Sequence, residues 1–95
     1  MVDVMRVRIR QDVLKQDLQG EAVLLDMSSG TYYRLNATGA LAWPSLLENG
    51  DSDSALQRLQ ETYSDVPVQR LRDDLAKFIE MLVSHGLAET LTSST

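Results

Sequence analysis

The sequence predicts an α+β fold in which an N-terminal sheet is followed by helices. Before Asn36 the apolar residues alternate with a period of two, and after it they recur with helical spacing. Asn36 marks the change, because its side-chain oxygen can accept a hydrogen bond from the free N–H groups of a first helical turn. We therefore expect strands and turns before Asn36 and helices after it.

Three strands are predicted in the N-terminal part. The first covers residues 5–10, where three arginines alternate with apolar residues and are expected to form a solvent-exposed face. Residues 11–20 are mostly polar and are predicted to form a loop. The second and third strands, residues 21–27 and 31–35, flank a short turn, so they must be antiparallel neighbours.

The third strand carries two adjacent tyrosines, Tyr32 and Tyr33, which must point to opposite faces of the sheet. The alternation places Tyr33 and Leu35 towards the core, and Tyr32 and Arg34 towards solvent. An exposed aromatic side chain in a strand can reflect β-propensity alone, or it can line a site for an incoming peptide.

The first two helices are predicted from their start and stop signals. Helix one covers residues 37–48 and ends before Gly50. We expect a kink or break at Pro44, which lacks the N–H that an uninterrupted helix requires. Helix two starts soon after Gly50, with Ser52 as its N-cap.

The third helix, residues 67–85, carries an apolar arc of about 160°, wider than one packing face needs. Gly86 follows it as a terminating glycine. Residues 1–90 are predicted to form a single domain, and residues 91–95 a disordered tail. The side chains expected to be buried together are Tyr33, Leu35, Trp43, Leu71, Phe78 and Leu82.

Composition argues against several classes of function. The chain has 95 residues, no cysteine and a net charge of −5, which excludes disulfides and thiolate metal sites and disfavours binding to nucleic acid. No apolar run approaches the roughly 20 residues that span a bilayer, and no signal peptide is recognisable. We expect a cytoplasmic protein that binds neither nucleic acid nor membrane.

Residues suited to catalysis are sparse. The single histidine, His85, falls in the last turn of the third helix, where it can complement the helix dipole. No serine or threonine has an obvious general base, and no glycine-rich loop precedes a helix in phosphate-binding form. The carboxylate pairs have no companion metal ligand. We expect no enzymatic activity, no catalytic residue, no metal and no cofactor.

The junction at Asn36 carries the most specific pattern in the chain, a tyrosine-x-leucine-asparagine-x-threonine-glycine run followed by a tryptophan. With this run, the chain from Gly30 onwards resembles the PqqD-like proteins, the peptide-recognition domains of ribosomal natural-product pathways. The matching residues at the junction are Gly30, Tyr33, Arg34, Leu35, Asn36, Thr38, Gly39, Ala42 and Trp43. Further matches follow at Leu47, Gly50, Leu59, Tyr63, Val66, Leu71, Asp74, Leu75, Phe78, Leu82, Gly86 and Leu87.

The resemblance implies a winged-helix-like arrangement, with a three-stranded antiparallel sheet followed by three helices. It also implies that the leader segment of a precursor peptide adds as a further strand to the third strand, in a groove beside the third helix. A free sheet edge suits this role, because strand addition satisfies its unpaired backbone groups.

Which side of the third helix lines that groove is open, since the helical wheel permits either side. We assign to it the side that contains Ile79, and expect Ile79→Asp to weaken leader binding while the fold survives. The predicted leader-binding residues are Thr31, Tyr32, Tyr33, Arg34, Leu35, Val68, Arg72, Leu75, Ala76, Ile79 and Val83.

The resemblance favours a recognition protein that partners a separate maturation enzyme, the leader peptidase of a lasso-peptide pathway. A related alternative is the peptide chaperone of pyrroloquinoline quinone synthesis, which presents its peptide to a radical enzyme. Two other classes remain open: a winged-helix DNA-binding module, which the acidic balance disfavours, and an oligomerisation domain that pairs through the same sheet edge.

Overall fold

A computed structural model of the protein describes residues 5–91. Its elements in chain order are β1 (Arg6–Ile9), β2 (Val13–Leu18), β3 (Glu21–Asp26), β4 (Thr31–Arg34), α1 (Ala37–Asn49), α2 (Ser52–Thr62), α3 (Val68–Ser84) and β5 (Ala88–Leu91). Strands β2, β3 and β4 form an antiparallel sheet in that order, and β1 pairs with β5 in a second, two-stranded sheet. The predicted α+β class, with a three-stranded antiparallel sheet followed by three helices, is confirmed.

The first strand of the three-stranded sheet differs from the prediction. Residues 11–20 were expected to form a loop, but they contain β2, which pairs along its length with β3. The predicted strand at residues 5–10 exists as β1, but its partner is β5. The alternation of apolar and polar residues did not reveal β2, because β2 is an edge strand in which Val13 alone is fully buried.

The predicted tail also differs in part. Leu91 lies in β5, opposite Arg6 of β1, and the remaining residues of that tail lie outside the described part of the chain. Strand β5 was missed because it is only four residues long and buries a single side chain, Ala88. Its position is fixed by pairing with a distant segment, which no local pattern reveals.

Helix α1 begins as predicted and passes through Pro44 without a break. The side chain of Asn36 accepts a hydrogen bond from the backbone N–H of Gly39 at 2.8 Å, and Gly50 ends the helix with a φ of 70°. Pro44 is exposed, while its neighbours Trp43 and Leu46 are buried in the core. We infer that this packing offsets the one backbone hydrogen bond that the proline removes.

Helix α2 is capped one residue earlier than predicted. The Asp51 side chain accepts from the N–H of Ser54 at 2.7 Å, so Asp51 is the N-cap. The Ser52 hydroxyl instead accepts from the backbone N–H of Met5 at 2.9 Å, which ties the start of the helix to the N-terminal segment. Asp51 therefore caps the helix, whereas Ser52, the predicted cap, binds the N-terminal segment.

Helix α3 ends as predicted. Gly86 has a φ of 73°, and the N–H of Leu87 bonds back to the Leu82 carbonyl at 2.8 Å, which buries the Leu87 side chain. Of the six side chains expected in the core, Tyr33 alone is only partly buried. The buried members are Leu35, Trp43, Leu71, Phe78 and Leu82.

Candidate functional site: the groove between β4 and α3

Strand β4 is a free edge of the three-stranded sheet. It pairs only with β3, with Tyr33 opposite Leu24 and Tyr32 opposite Leu25. The N–H of Leu35 bonds to the Ala22 carbonyl of β3 at 2.9 Å. Since backbone groups alternate in direction along a strand, Tyr32 and Arg34 present their N–H and C=O groups to the open side. An added strand could pair with these groups.

A groove lies beside this edge and has an apolar floor and a charged rim. Its volume is about 270 Å³, and its lining comes from the end of β4 and from α3. Phe78, Leu35 and Met81 supply the apolar surface, while Asp74 and Lys77 are the charged residues that α3 contributes. We call this the β4–α3 groove. It can hold an apolar side chain while leaving polar groups at the rim in water.

The floor of the groove is set by a close contact between α1 and α3. A Cβ atom added at Gly39 would lie only 3.0 Å from an edge carbon of the Phe78 ring, closer than such atoms normally approach. The same glycine donates its N–H to the side chain of Asn36. The asparagine and glycine of the junction therefore have separate physical roles: one starts α1, and the other makes room for the ring.

An aromatic contact links β4 to the end of α3, and an ion pair links β4 to β3. The rings of Tyr33 and His85 lie 4.8 Å apart, centre to centre, at an angle of 46°. Because His85 is the C-cap residue of α3, this contact ties the strand to the end of the helix. On the other face of β4, Arg34 forms an exposed ion pair with Glu21 at 3.0 Å.

The hairpin that precedes β4 is anchored by Arg10. Its guanidinium donates to Asp12 and Asp26, both at 2.8 Å, and to the Gly86 carbonyl at 2.9 Å. It also donates to the hydroxyl of Ser28 in the hairpin turn at 2.9 Å. The expectation that all three N-terminal arginines face solvent is therefore wrong for Arg10, which joins the two sheets and the end of α3.

Asp26 is the buried partner in this cluster. Hydrogen bonds from Arg10 lower its pKa to about 2, against the opposing effect of burial, and bonds from Ser28 add to the lowering. The pKa of Asp12 is lowered for the same main reason, the hydrogen bond from Arg10, and the pKa of Arg10 is raised. The cluster is ionised at neutral pH, and the hairpin turn depends on it.

The predicted strand residues do lie at the free edge. Tyr32 and Arg34 are exposed, as their alternation indicated, and Tyr33 packs against the core. Thr31 starts the strand, and Leu35 follows it into the groove.

The predicted helix residues lie on the other flank of α3. Arg72, Leu75 and Ala76 line a separate depression of about 230 Å³ against the start of α2. Ile79 is 1% exposed, and Val83 packs against the core. Ile79 is therefore not among the residues that line the groove beside β4, and its part in leader binding stays a prediction.

Val68 is 39% exposed in the first turn of α3 and lines neither depression. Sequence reasoning missed the groove residues Asn36, Asp74, Lys77, Phe78 and Met81. The apolar arc of α3 was wide enough to include Phe78, but the position of β4 decides which flank is open.

The described residues contain no group of three or more side chains placed to hold a metal ion. Within residues 5–91, no helix is both long and apolar enough to cross a membrane.

One protein-family profile matches most of the chain. The profile of the family described as coenzyme PQQ synthesis protein D (PqqD) matches residues 21–88, which contain both β4 and α3. Comparison with curated protein sequences gives no match.

Two solved structures are similar over almost their whole length. One, described as TbiB1 in complex with the TbiA(beta) leader peptide, is 31% identical, has a TM-score of 0.72, and covers 90% of this chain and 99% of its own. The other, described as lasso peptide synthetase B1 complexed with the leader peptide, is 27% identical, has a TM-score of 0.73, and covers 88% and 98%. With the profile spanning most of the chain, the protein belongs to the PqqD family.

Proposed function

We propose that this protein is a non-catalytic recognition protein that binds the leader segment of a ribosomally made precursor peptide. The leader adds as an antiparallel strand to β4 and places alternate side chains in the β4–α3 groove. The observation that carries the proposal is the juxtaposition of a free strand edge and an apolar groove. The leader peptides held by two similar structures support it.

The groove suits an extended peptide for a physical reason. Main-chain pairing with Tyr32 and Arg34 supplies affinity that is independent of sequence, and the groove adds selectivity for a side chain. Phe78, Leu35 and Met81 favour an apolar leader residue. Lys77 forms no ion pair within the described chain and can meet a leader carboxylate at the rim.

The proposed next step is presentation of the bound leader to a separate leader peptidase in a lasso-peptide pathway. The similarity to lasso peptide synthetase B1 over 98% of its length supports this pathway. A precursor made on ribosomes is first available in the cytoplasm, so we propose that compartment. The description of the matching family favours one other candidate, the peptide chaperone of pyrroloquinoline quinone synthesis. Titration with leaders of both kinds separates the two, because the cognate leader binds more tightly.

The test of leader binding is a fluorescence polarisation titration with the labelled leader of the cognate precursor peptide. Met81→Asp puts a charge in the groove at a partly buried position, and we expect at least a tenfold loss of affinity, about 1.4 kcal/mol. Arg72→Asp, on the other flank of α3, is the matched control and should bind within twofold of the wild type. Circular dichroism checks that both variants fold.

Equal affinity for the Met81→Asp and wild-type proteins, both folded, would place the leader elsewhere. A loss of leader affinity in Arg72→Asp alone would instead place the leader on the flank of α3 that was predicted from the sequence.

The proposal also predicts that the pure protein does not cleave the leader. No group of the described side chains is placed to hold a metal ion. The Ser28 hydroxyl donates to Asp26 at 2.9 Å, but the pKa of that carboxyl is lowered to about 2, which makes it a weak general base. Incubation of the precursor with the pure protein, followed by mass spectrometry, should return the intact peptide. Cleavage that persists after repeated purification would contradict a purely binding role.

A further inference from the structure

Strand β2 is the second free edge of the three-stranded sheet. Among the described residues it pairs only with β3. The N–H of Met27 bonds to the Asp12 carbonyl at 2.9 Å, so by alternation the even-numbered residues of β2 direct their backbone groups to β3. Lys15 and Asp17 therefore present their N–H and C=O groups to the open side, where another strand can pair with them.

The side chains along this edge are complementary to those of a second copy of the same strand. Residues 14–18 are leucine, lysine, glutamine, aspartate and leucine, with Gln16 at the centre. When a second β2 lies antiparallel with Gln16 opposite Gln16, each leucine meets a leucine and each lysine meets an aspartate. Opposite charges directly across a strand pair are stabilising. The edge thus meets the condition for a two-fold symmetric contact, in which one patch binds an identical patch.

The same charges exclude the neighbouring registers. The open backbone groups of β2 must face those of the second copy, so the possible two-fold registers differ by steps of two residues. A step in one direction puts Lys15 opposite Lys15, and a step in the other puts Asp17 opposite Asp17. Both place like charges against each other, which is destabilising. Charges in an edge strand commonly prevent pairing, but here they leave one register open.

Both faces of β2 have room for the second strand. On the helix side Val13 packs into the core, but Lys15 and Asp17 beyond it lie at the surface and form an ion pair at 3.8 Å. On the other face Leu14 is 43% exposed and Leu18 is 45% exposed. A second β2 covers these leucines and brings its own two charges beside the ion pair, so that four charges of alternating sign adjoin.

The net charge of −5 per chain opposes association at a distance. At about 0.15 M ionic strength, however, exposed charges more than about 8 Å apart are largely screened, and the charges of the paired strands lie closer than that. A strand edge buries less than the roughly 800 Å² per partner of a standard interface, so the contact is a weak one. We expect a dissociation constant between about 10 µM and 1 mM.

We propose that the protein associates as a two-fold symmetric dimer through β2, with Gln16 at the symmetry axis. The two sheets join into one sheet of six strands. The two copies of β4 stay free at its opposite ends, about 24 Å apart. A dimer that paired through β4 would instead close those edges.

Charge reversal tests the register. Lys15→Asp and Asp17→Lys each put like charges opposite one another, and we expect each to weaken the dimer at least about tenfold in sedimentation equilibrium. An equimolar mixture of the two variants restores opposite charges at both positions and should recover the dimer. Asp17→Lys is the stricter case, because it makes the net charge less negative and would strengthen association if net charge decided it. Circular dichroism checks that both variants fold.

A single cysteine at the symmetry axis tests the geometry, since the chain has none of its own. Gln16 would face its counterpart in a pair without backbone bonds, where Cα atoms lie about 4.5 Å apart, within the span of a disulfide. In a glutathione redox buffer, Gln16→Cys should form a covalent dimer at least about tenfold faster than Leu14→Cys, whose counterpart would be about 14 Å away. Leu14 lies on the same face and is the more exposed of the two, so exposure alone predicts the reverse order.

The proposal is overturned by a wild-type protein that remains a single chain at about 1 mM, the upper end of the expected range. It is also overturned by a dimer that both charge variants leave unchanged, by a mixture that fails to restore it, or by equal cross-linking of the two cysteine variants. Neither assay contains a leader, so failure of the proposed function would alter neither result.

Discussion

The two flanks of α3 carry similar residues but face different neighbours. One flank, with Asp74, Phe78 and Met81, faces the free edge of β4. The other, with Arg72 and Ala76, faces the start of α2. Both depressions mix apolar and charged lining, and their volumes are about 270 and 230 Å³.

The difference lies in what the neighbour can offer to a peptide. Within a helix the backbone groups are paired with one another, so α2 offers few to a ligand beyond its capped N-terminus. An edge strand such as β4 leaves a row of N–H and C=O groups unpaired. The flank beside β4 can therefore combine main-chain pairing with a side-chain pocket, whereas the flank beside α2 offers a side-chain pocket alone.

The largest expected effect is a loss of folding at Ile79, a buried residue of α3. Ile79→Asp places an unpaired carboxylate at a position that is 1% exposed, and we expect destabilisation of about 4 kcal/mol or more. That is a large part of the stability of a small domain. Urea denaturation followed by circular dichroism measures it. A folded Ile79→Asp protein that has lost only leader binding would support the flank chosen from sequence.

A smaller effect is expected where α1 touches the floor of the groove. Gly39→Ala brings a methyl group against the Phe78 ring and pushes the ring towards the groove. Overpacking lowers the stability of the fold by about 1–3 kcal/mol. The better helix propensity of alanine offsets about 1 kcal/mol of this loss. We expect a net loss of about 1 kcal/mol in stability and about a fivefold loss of leader affinity.

The double variant Gly39→Ala with Phe78→Leu tests the cause of that effect. If the ring transmits it, the two substitutions are not additive, and the second removes much of the penalty of the first. Additive losses in both stability and affinity would show that Gly39 acts through another contact.

The smallest effect at neutral pH concerns the hairpin that holds β4 in place. The pKa of Asp26 is about 2 in the folded protein, below its ordinary value of 3.8. Its ionised form therefore stabilises the fold above about pH 4, and this contribution is lost as the pH falls through 2. The thermal midpoint of the wild type should fall between pH 4 and pH 2 more than that of Asp26→Asn. Parallel curves for the two proteins would show that other carboxylates dominate the acid response.

Local signals made the helices predictable. The N-cap at Asn36 and the glycines at positions 50 and 86 act within a few residues of the ends they define. Strands β2 and β5 were missed because their places depend on partners elsewhere, and each buries a single side chain. The apolar arc of α3 was visible, but the groove flank was not, since it depends on where β4 packs.

The pairing of β1 with β5 has a consequence for the order of folding. Arg6 lies opposite Leu91 in this pair, so the two strands close a loop of about 85 residues. During synthesis at roughly 5–20 residues per second, β1 waits on the order of ten seconds before its partner strand has been made. The hairpin of β3 and β4 and the three helices rest on shorter-range contacts and can form first. The protein therefore acquires the free edge of β4 before its two-stranded sheet. Until β5 has been made, β1 can pair only with residues 50–52, to which its backbone also bonds in the folded protein.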